Sequence, residues 1–224
     1  MKRALVVSVS MVLAAAVVCS VSAWAQEAEY SLKDYMPQAV GSKWIMKSTG
    51  GEAVETVTYE VLKAREIGGQ QALPIVMKTA DGSIRSGTVE LVSAEKLIIF
   101  GSMFGPRGDQ AGGAPMTMLY EPAASFPGKM RKGQSAEAKV KVKRGEQESD
   151  ITMKLELAAV ETVTVPKGAF KDCLKLVYTT SFGRGEMKRS VWYAKGVGMV
   201  KTERPARGDR PATTAELTDY TLAK

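Results

Sequence analysis

Histidine is absent from all 224 residues. With it go the commonest general base, the usual zinc ligand and every Ser-His-Asp or Cys-His arrangement. Cysteine is nearly absent too. Of the two present, Cys19 falls in an N-terminal apolar run and Cys173 stands alone beyond it. No intramolecular disulfide and no cysteine-based metal site is therefore expected. The sequence contains no Gly-x-Ser-x-Gly and no supported Ser-x-x-Lys pattern. Paired carboxylates remain available for glycan hydrolysis, but spacing alone does not bring two acids to one cleft. No window of a dozen residues carries a helical apolar stripe, and no long apolar run follows the first 25 residues. The chain reads as non-catalytic, without metal or cofactor.

What is present begins with Lys2 and Arg3, an apolar run from Ala4 to Val18, and Ala23-Trp24-Ala25 before the polar Gln26-Glu27. This order predicts a secretory signal peptide over residues 1–25, leaving a mature domain over 26–224 in the periplasm or outside the cell. Cys19 does not fit a lipidation site, because Val18 stands where a small residue is needed. The formal charge is +7. Without Lys2 and Arg3, 29 of the 31 basic residues face 24 acidic ones. That mild excess suits an anionic surface, and its dispersal argues against nucleic acid.

The mature chain reads as strands. From Val54 to Ala64, Val57, Tyr59 and Val61 alternate with Thr56, Thr58 and Glu60, the period of a half-buried strand. Gly68-Gly69 and Asp81-Gly82 mark turns. A short helix is expected near Leu32–Ala39, capped by Ser31 and cut at Pro37. The predicted fold is all-β: an antiparallel curved sheet or partly open barrel with few short helices. Apolar positions recur at an offset of 101 or 102: Leu73 with Leu174, Val76 with Val177, Val89 with Val191, Leu97 with Met199. We read two similar β-meander halves, about 36–103 and 126–204. Gly101 to Pro115, rich in glycine, is read as a flexible loop between them. Arg107-Gly108-Asp109 and Arg207-Gly208-Asp209, adhesion-type tripeptides, read as duplicated turns.

Three motifs stand out: Pro37-x3-Gly41-x2-Trp44, Val165-Pro166-x-Gly168-x-Phe170-x-x-Cys173, and Trp192-Tyr193-x-x-Gly196-x-Gly198. Together they resemble a pattern of exported bacterial β-rich proteins of the domain-of-unknown-function type. The resemblance covers about 75 C-terminal residues and the first motif. It implies a curved sheet broadly similar to periplasmic lipoprotein-carrier half-barrels, whose concave face holds apolar cargo.

Trp44, Phe104, Trp192 and Tyr193 are the candidate ligand-binding residues, with the 101–115 loop as gate. Ten methionines outside the leader suit an adaptable cavity, and core filling accounts for them equally well. Lys139, Lys141 and Lys143 share one face of a strand, read as a charge-protected edge. With Lys129, Arg131 and Lys132 they form a candidate basic patch. The expected function is binding or carrying a hydrophobic or amphiphilic ligand such as a lipid, or scaffolding at the cell envelope. The alternatives are docking of an envelope protein through the basic edge strand, and a carboxylate-dependent glycan hydrolase.

Overall fold

The computed structural model describes residues 28–50, 54–106, 113–144, 147–183 and 185–223. The expected signal peptide lies outside them. The chain opens with β1 (Glu29–Ser31) and α1 (Leu32–Tyr35). Then come β2 (Lys43–Thr49), β3 (Glu55–Val61), β4 (Arg65–Ile67), β5 (Gln70–Lys78), β6 (Ile84–Val92) and β7 (Lys96–Phe104). β8 (Met116–Pro127), β9 (Lys129–Arg131), β10 (Ser135–Arg144) and β11 (Gln147–Val165) follow. The chain ends in β12 (Gly168–Phe182), β13 (Gly185–Ala194), β14 (Gly198–Arg204) and β15 (Thr213–Thr221).

Strand neighbours follow chain order from β2 to β3, from β4 to β8 and from β10 to β15, all antiparallel. β15 pairs with β2, and β3 pairs with β5, so the sheet closes into a twelve-stranded barrel, with β4 continuing the line of β3. Closure removes the free edges that a curved sheet would expose. The ring is thinnest at one seam: β8 and β10 share only the pairs Glu121–Lys141 and Tyr120–Val142. The positions related by 101 or 102 residues fall on β5 and β12, β6 and β13, and β7 and β14, strands that stand across the barrel from one another. We propose that the two meanders are copies of one ancestral unit.

Two sequence expectations need correction here. The loop expected from Gly101 begins later, because Gly101–Phe104 are ladder residues of β7 facing Leu119–Met116. Gly101 is required by close approach: a Cβ there would lie 2.3 Å from the Met118 carbonyl oxygen. Residues 107–112, including the first Arg-Gly-Asp and the centre of the expected gate, lie outside the described residues. The second correction concerns β10. It lies inside the ring, paired to β11 along its whole length, and is not an open edge.

Alternating strand directions put the connections at two ends. One end, the rim, carries residues 79–83 and 205–212. The other, the floor, is closed by the N-terminal segment. Leu32, Tyr35 and Met36 are buried there against the main core. Complete burial of a leucine such as Leu32 contributes about 1.5–3 kcal/mol. The plug is also tied by backbone: Leu32 N donates to Gly128 O at 2.8 Å, and Gly196 N to Asp34 O at 2.8 Å. β1 pairs with β9, setting Tyr30 opposite Met130. The helix is a single turn, shorter than Leu32–Ala39. Pro37 disfavours a helical Met36, whose φ of −119° and ψ of 73° end the turn, and Ser31 makes no side-chain cap bond.

Candidate functional site

Side chains of alternate strand positions fill the lower barrel and leave the upper part open as a cavity of about 1050 Å³. Its walls differ. On β7, β8 and β11, Ile99, Met118, Ile151 and Met153 present apolar side chains, and Phe104 stands at the rim. Met36 and Met199 line it lower down, and Met77 lines it near the end of β5. Tyr59, Tyr178, Arg189, Tyr193 and Arg204 line the rest of the ring on β3 and β12–β14, with Glu90 enclosed on β6.

The polar group is held from several sides. Thr88 Oγ1 donates to Glu90 Oε2 at 3.1 Å. Val92 N donates to Gln38 Oε1 at 2.8 Å, joining the plug to β6 beside the acid. Burial pushes the Glu90 carboxyl above the usual range, against the opposing influence of the Thr88 hydroxyl, the Arg189 charge and Gln38. Burial likewise raises Tyr193, to about 12, and Tyr178 well above its ordinary value, so both phenols stay protonated donors. The Arg189 guanidinium lies over the Tyr178 ring, 5.3 Å from its centroid.

Three of the four candidate ligand-binding residues, Trp44, Phe104 and Tyr193, line this cavity. Trp44 sits at its base, where two of the sequence motifs meet. Its Nε1 donates to Val197 O at 2.7 Å, and a Cβ on Gly198 would lie 2.7 Å from the indole. Gly198 also has φ of 98°, so glycine is required there twice over. Trp192 is the exception. It faces the outer side of β13, with Lys175 and Lys201 over its ring at 4.6 and 5.3 Å. Its Nε1 donates to Glu161 Oε1 at 2.6 Å. Adjacent strand residues point to opposite faces, so placing Tyr193 inside puts Trp192 outside.

The six basic candidates do not form one patch. Lys129, Arg131 and Lys132 stand at the floor, whereas Lys139, Lys141 and Lys143 climb β10 toward the rim. Ser135 and Lys143 are eight residues apart, about 26 Å along a strand. Three of the six are partnered: Arg131 with Glu29 at 3.8 Å, Lys143 with Glu121 at 3.3 Å, and Lys141 with Glu148. Cys173 is buried, and burial pushes its thiol to about 11, which keeps it unreactive.

Sequence reasoning missed Glu90, Arg189 and Arg204. A signal existed in strand parity. Arg189 is in phase with the buried Val191 and Tyr193, and Glu90 with the buried Val92. A charged residue in phase with core residues marks a polar group turned inward. Among the described residues no cluster of His, Cys, Asp and Glu could hold a metal, and no helix is long and apolar enough to cross a membrane.

Residues 40–217 match the DUF3108-like family. The chain belongs to that family. The match agrees with the resemblance carried by the Pro37, Val165 and Trp192 motifs. No curated protein matches the chain. Among solved structures it is similar to a candidate lipoprotein of Parabacteroides distasonis ATCC 8503, 17% identical, over 83% of this chain and 97% of that one, with a TM-score of 0.48. A candidate exported protein with YmcC-like fold from Bacteroides fragilis NCTC 9343 is 16% identical over 84% of this chain and 99% of that one, with a TM-score of 0.45. The hypothetical lipoprotein YmcC of Escherichia coli K12 is 8% identical over 83% and 88%, with a TM-score of 0.34.

Proposed function

We propose that this protein is exported and binds a hydrophobic or amphiphilic molecule, lipid-like in size, inside the barrel. The observation that carries the reading is the cavity of about 1050 Å³ above a sealed floor, walled on one side by Ile99, Met118, Ile151 and Met153. Such a volume stands at the upper end of small-molecule sites, which are mostly apolar with a few placed polar groups. Unbranched thioethers adapt to chains of varied shape, which suits a carrier. The glycan-hydrolase alternative draws no comparable support. The acids near the cavity stand at different ends, Glu90 toward the floor on β6 and Glu186 at the rim on β13.

The test is fluorescence titration with N-phenyl-1-naphthylamine, a neutral apolar probe. The wild type should enhance its emission saturably. Met153→Trp, which fills the middle of the cavity, should weaken binding at least tenfold while the far-UV spectrum stays unchanged. A wild type that gives no saturable enhancement contradicts the reading.

A further inference from the structure

The cavity's two charged groups of opposite sign are unequal in number. Arg189 and Arg204 enter it from adjacent strands. Ser190 pairs with Glu203 in the β13–β14 ladder, so Arg189 and Arg204 stand one step further along the same ladder. The rows on either side are neutral: Tyr178 is register partner of Arg189, and Thr213 of Arg204. Like charges placed directly across two strands repel and are ordinarily avoided. Among the described residues neither guanidinium lies within ion-pair distance of a carboxylate, although elsewhere in the barrel Arg85 has Glu55 and Lys78 has Glu60. Against burial, the phenols of Tyr193, Tyr59 and Tyr178 and the Glu90 carboxyl hold Arg189 above its ordinary value, while burial raises the proton affinity of Glu90. Arg204 is exposed at the rim end of β14, and partial desolvation on its cavity side and the neighbouring charges of Arg189 and Arg85 depress it below its ordinary value. Across the barrel from this pair stand β6, which carries Arg85, Thr88 and Glu90, and β7; the apolar stretch of Met118, Ile151 and Met153 lies to one side, on β8 and β11.

Resting on the reading that the interior binds an amphiphile, we propose that Arg189 and Arg204 bind its head, which is an anionic carboxylate or phosphate. The alkyl chain then lies along Met118, Ile151 and Met153. Two guanidiniums side by side supply a pair of planar donor forks, the arrangement that suits carboxylate and phosphate oxygens. The protonated Tyr178 hydroxyl beside Arg189 and the Tyr193 hydroxyl further down β13 add neutral donors.

Isothermal titration of the full-length mature protein with five twelve-carbon or headgroup-only probes tests this. Dodecanoate and dodecyl phosphate carry the anionic head, dodecanol and dodecyltrimethylammonium carry the same chain without it, and inorganic phosphate carries the head alone. Dodecanoate or dodecyl phosphate should bind at least tenfold more tightly than dodecanol and dodecyltrimethylammonium. Whichever of the two is preferred separates a fatty-acid source from a phosphate-headed lipid. Arg204→Gln, at the accessible end of β14, should erase the preference while leaving dodecanol affinity within twofold. Equal binding of all four alkyl probes overturns the headgroup assignment and leaves the cavity reading standing. Inorganic phosphate binding as tightly as the alkyl anions overturns the amphiphile. Failure of every alkyl probe to bind overturns the cavity reading itself. The headgroup series on the wild type decides these outcomes even if the variant does not fold.

Discussion

At the floor, Leu32, Tyr35, Met36 and Trp44 fill the barrel's cross-section with buried apolar volume, tied by backbone hydrogen bonds to Gly128 and Gly196. At the rim stand Arg85 on β6, Arg204 at the end of β14 and Arg207 in the connection that follows, and the section stays open. An up-and-down barrel of this width is too wide for its own side chains to fill from end to end. The chain resolves that by adding a plug at one end only, which makes a cup. Stability is concentrated where the N-terminal segment and the Trp44–Gly198 contact complete the packing. Binding capacity is left where they do not reach.

The comparison breaks most sharply at Trp44. Trp44→Ala removes a buried indole and its hydrogen bond to Val197, and should cost about 3–5 kcal/mol. Urea denaturation followed by circular dichroism measures it. A cost under about 1 kcal/mol would mean the floor is not where the barrel is held. Trp192 supplies the contrast, since it is equally buried but on the outer face. Trp192→Phe gives up the bond to Glu161 and part of the lysine contacts, about 1–2 kcal/mol. Probe affinity should not change, and a fivefold loss would place Trp192 in the binding wall after all.

Two glutamates sharpen the comparison by sign. Burial raises Glu90, so its contribution to stability is greatest below the ordinary carboxylate range and declines as pH rises through its folded value. Glu55 at the rim is lowered, chiefly by its hydrogen bond from Arg85, so its contribution is present above that range and is lost as pH falls. Thermal midpoints from pH 4 to 8 should therefore fall less steeply toward neutral pH in Glu90→Gln than in the wild type. Glu55→Gln should lose a smaller increment, at neutral pH, because this pair is partly exposed and screened. Smallest in expected signal is Cys173, buried in β12 with its thiol at about 11. Ellman's reagent at pH 8 should leave it unmodified in the native protein and label it fully in denaturant. Rapid native labelling would show that this stretch of β12 opens.

Much of the strand pattern was legible because Val57, Tyr59 and Val61 alternate cleanly with polar neighbours, and the turns carry glycine. Closure was not legible. Period-two patterning tells which face is buried but not which distant strand completes the ring, and the β3–β5 and β8–β10 pairings left no separate mark. Trp192 was misplaced because Val191, Trp192, Tyr193 and Ala194 are all apolar and all buried, so parity gave no direction. β1, α1 and β9 are three or four residues each, too short for periodicity to register. Arg189 and Glu90 are in phase with buried neighbours, but a charged side chain at such a position does not by itself fix an inward face, since most charges are solvated.

The most direct test of the cup is methyl NMR of the protein labelled with ¹³C-methyl methionine and titrated with dodecanoate. The account predicts shifts for Met77, Met118, Met153 and Met199, which line the cavity, and stationary signals from Met130 in the plugged floor and Met116 on the surface. Shifts confined to Met116, or no saturable shift at any cavity methionine, would contradict it.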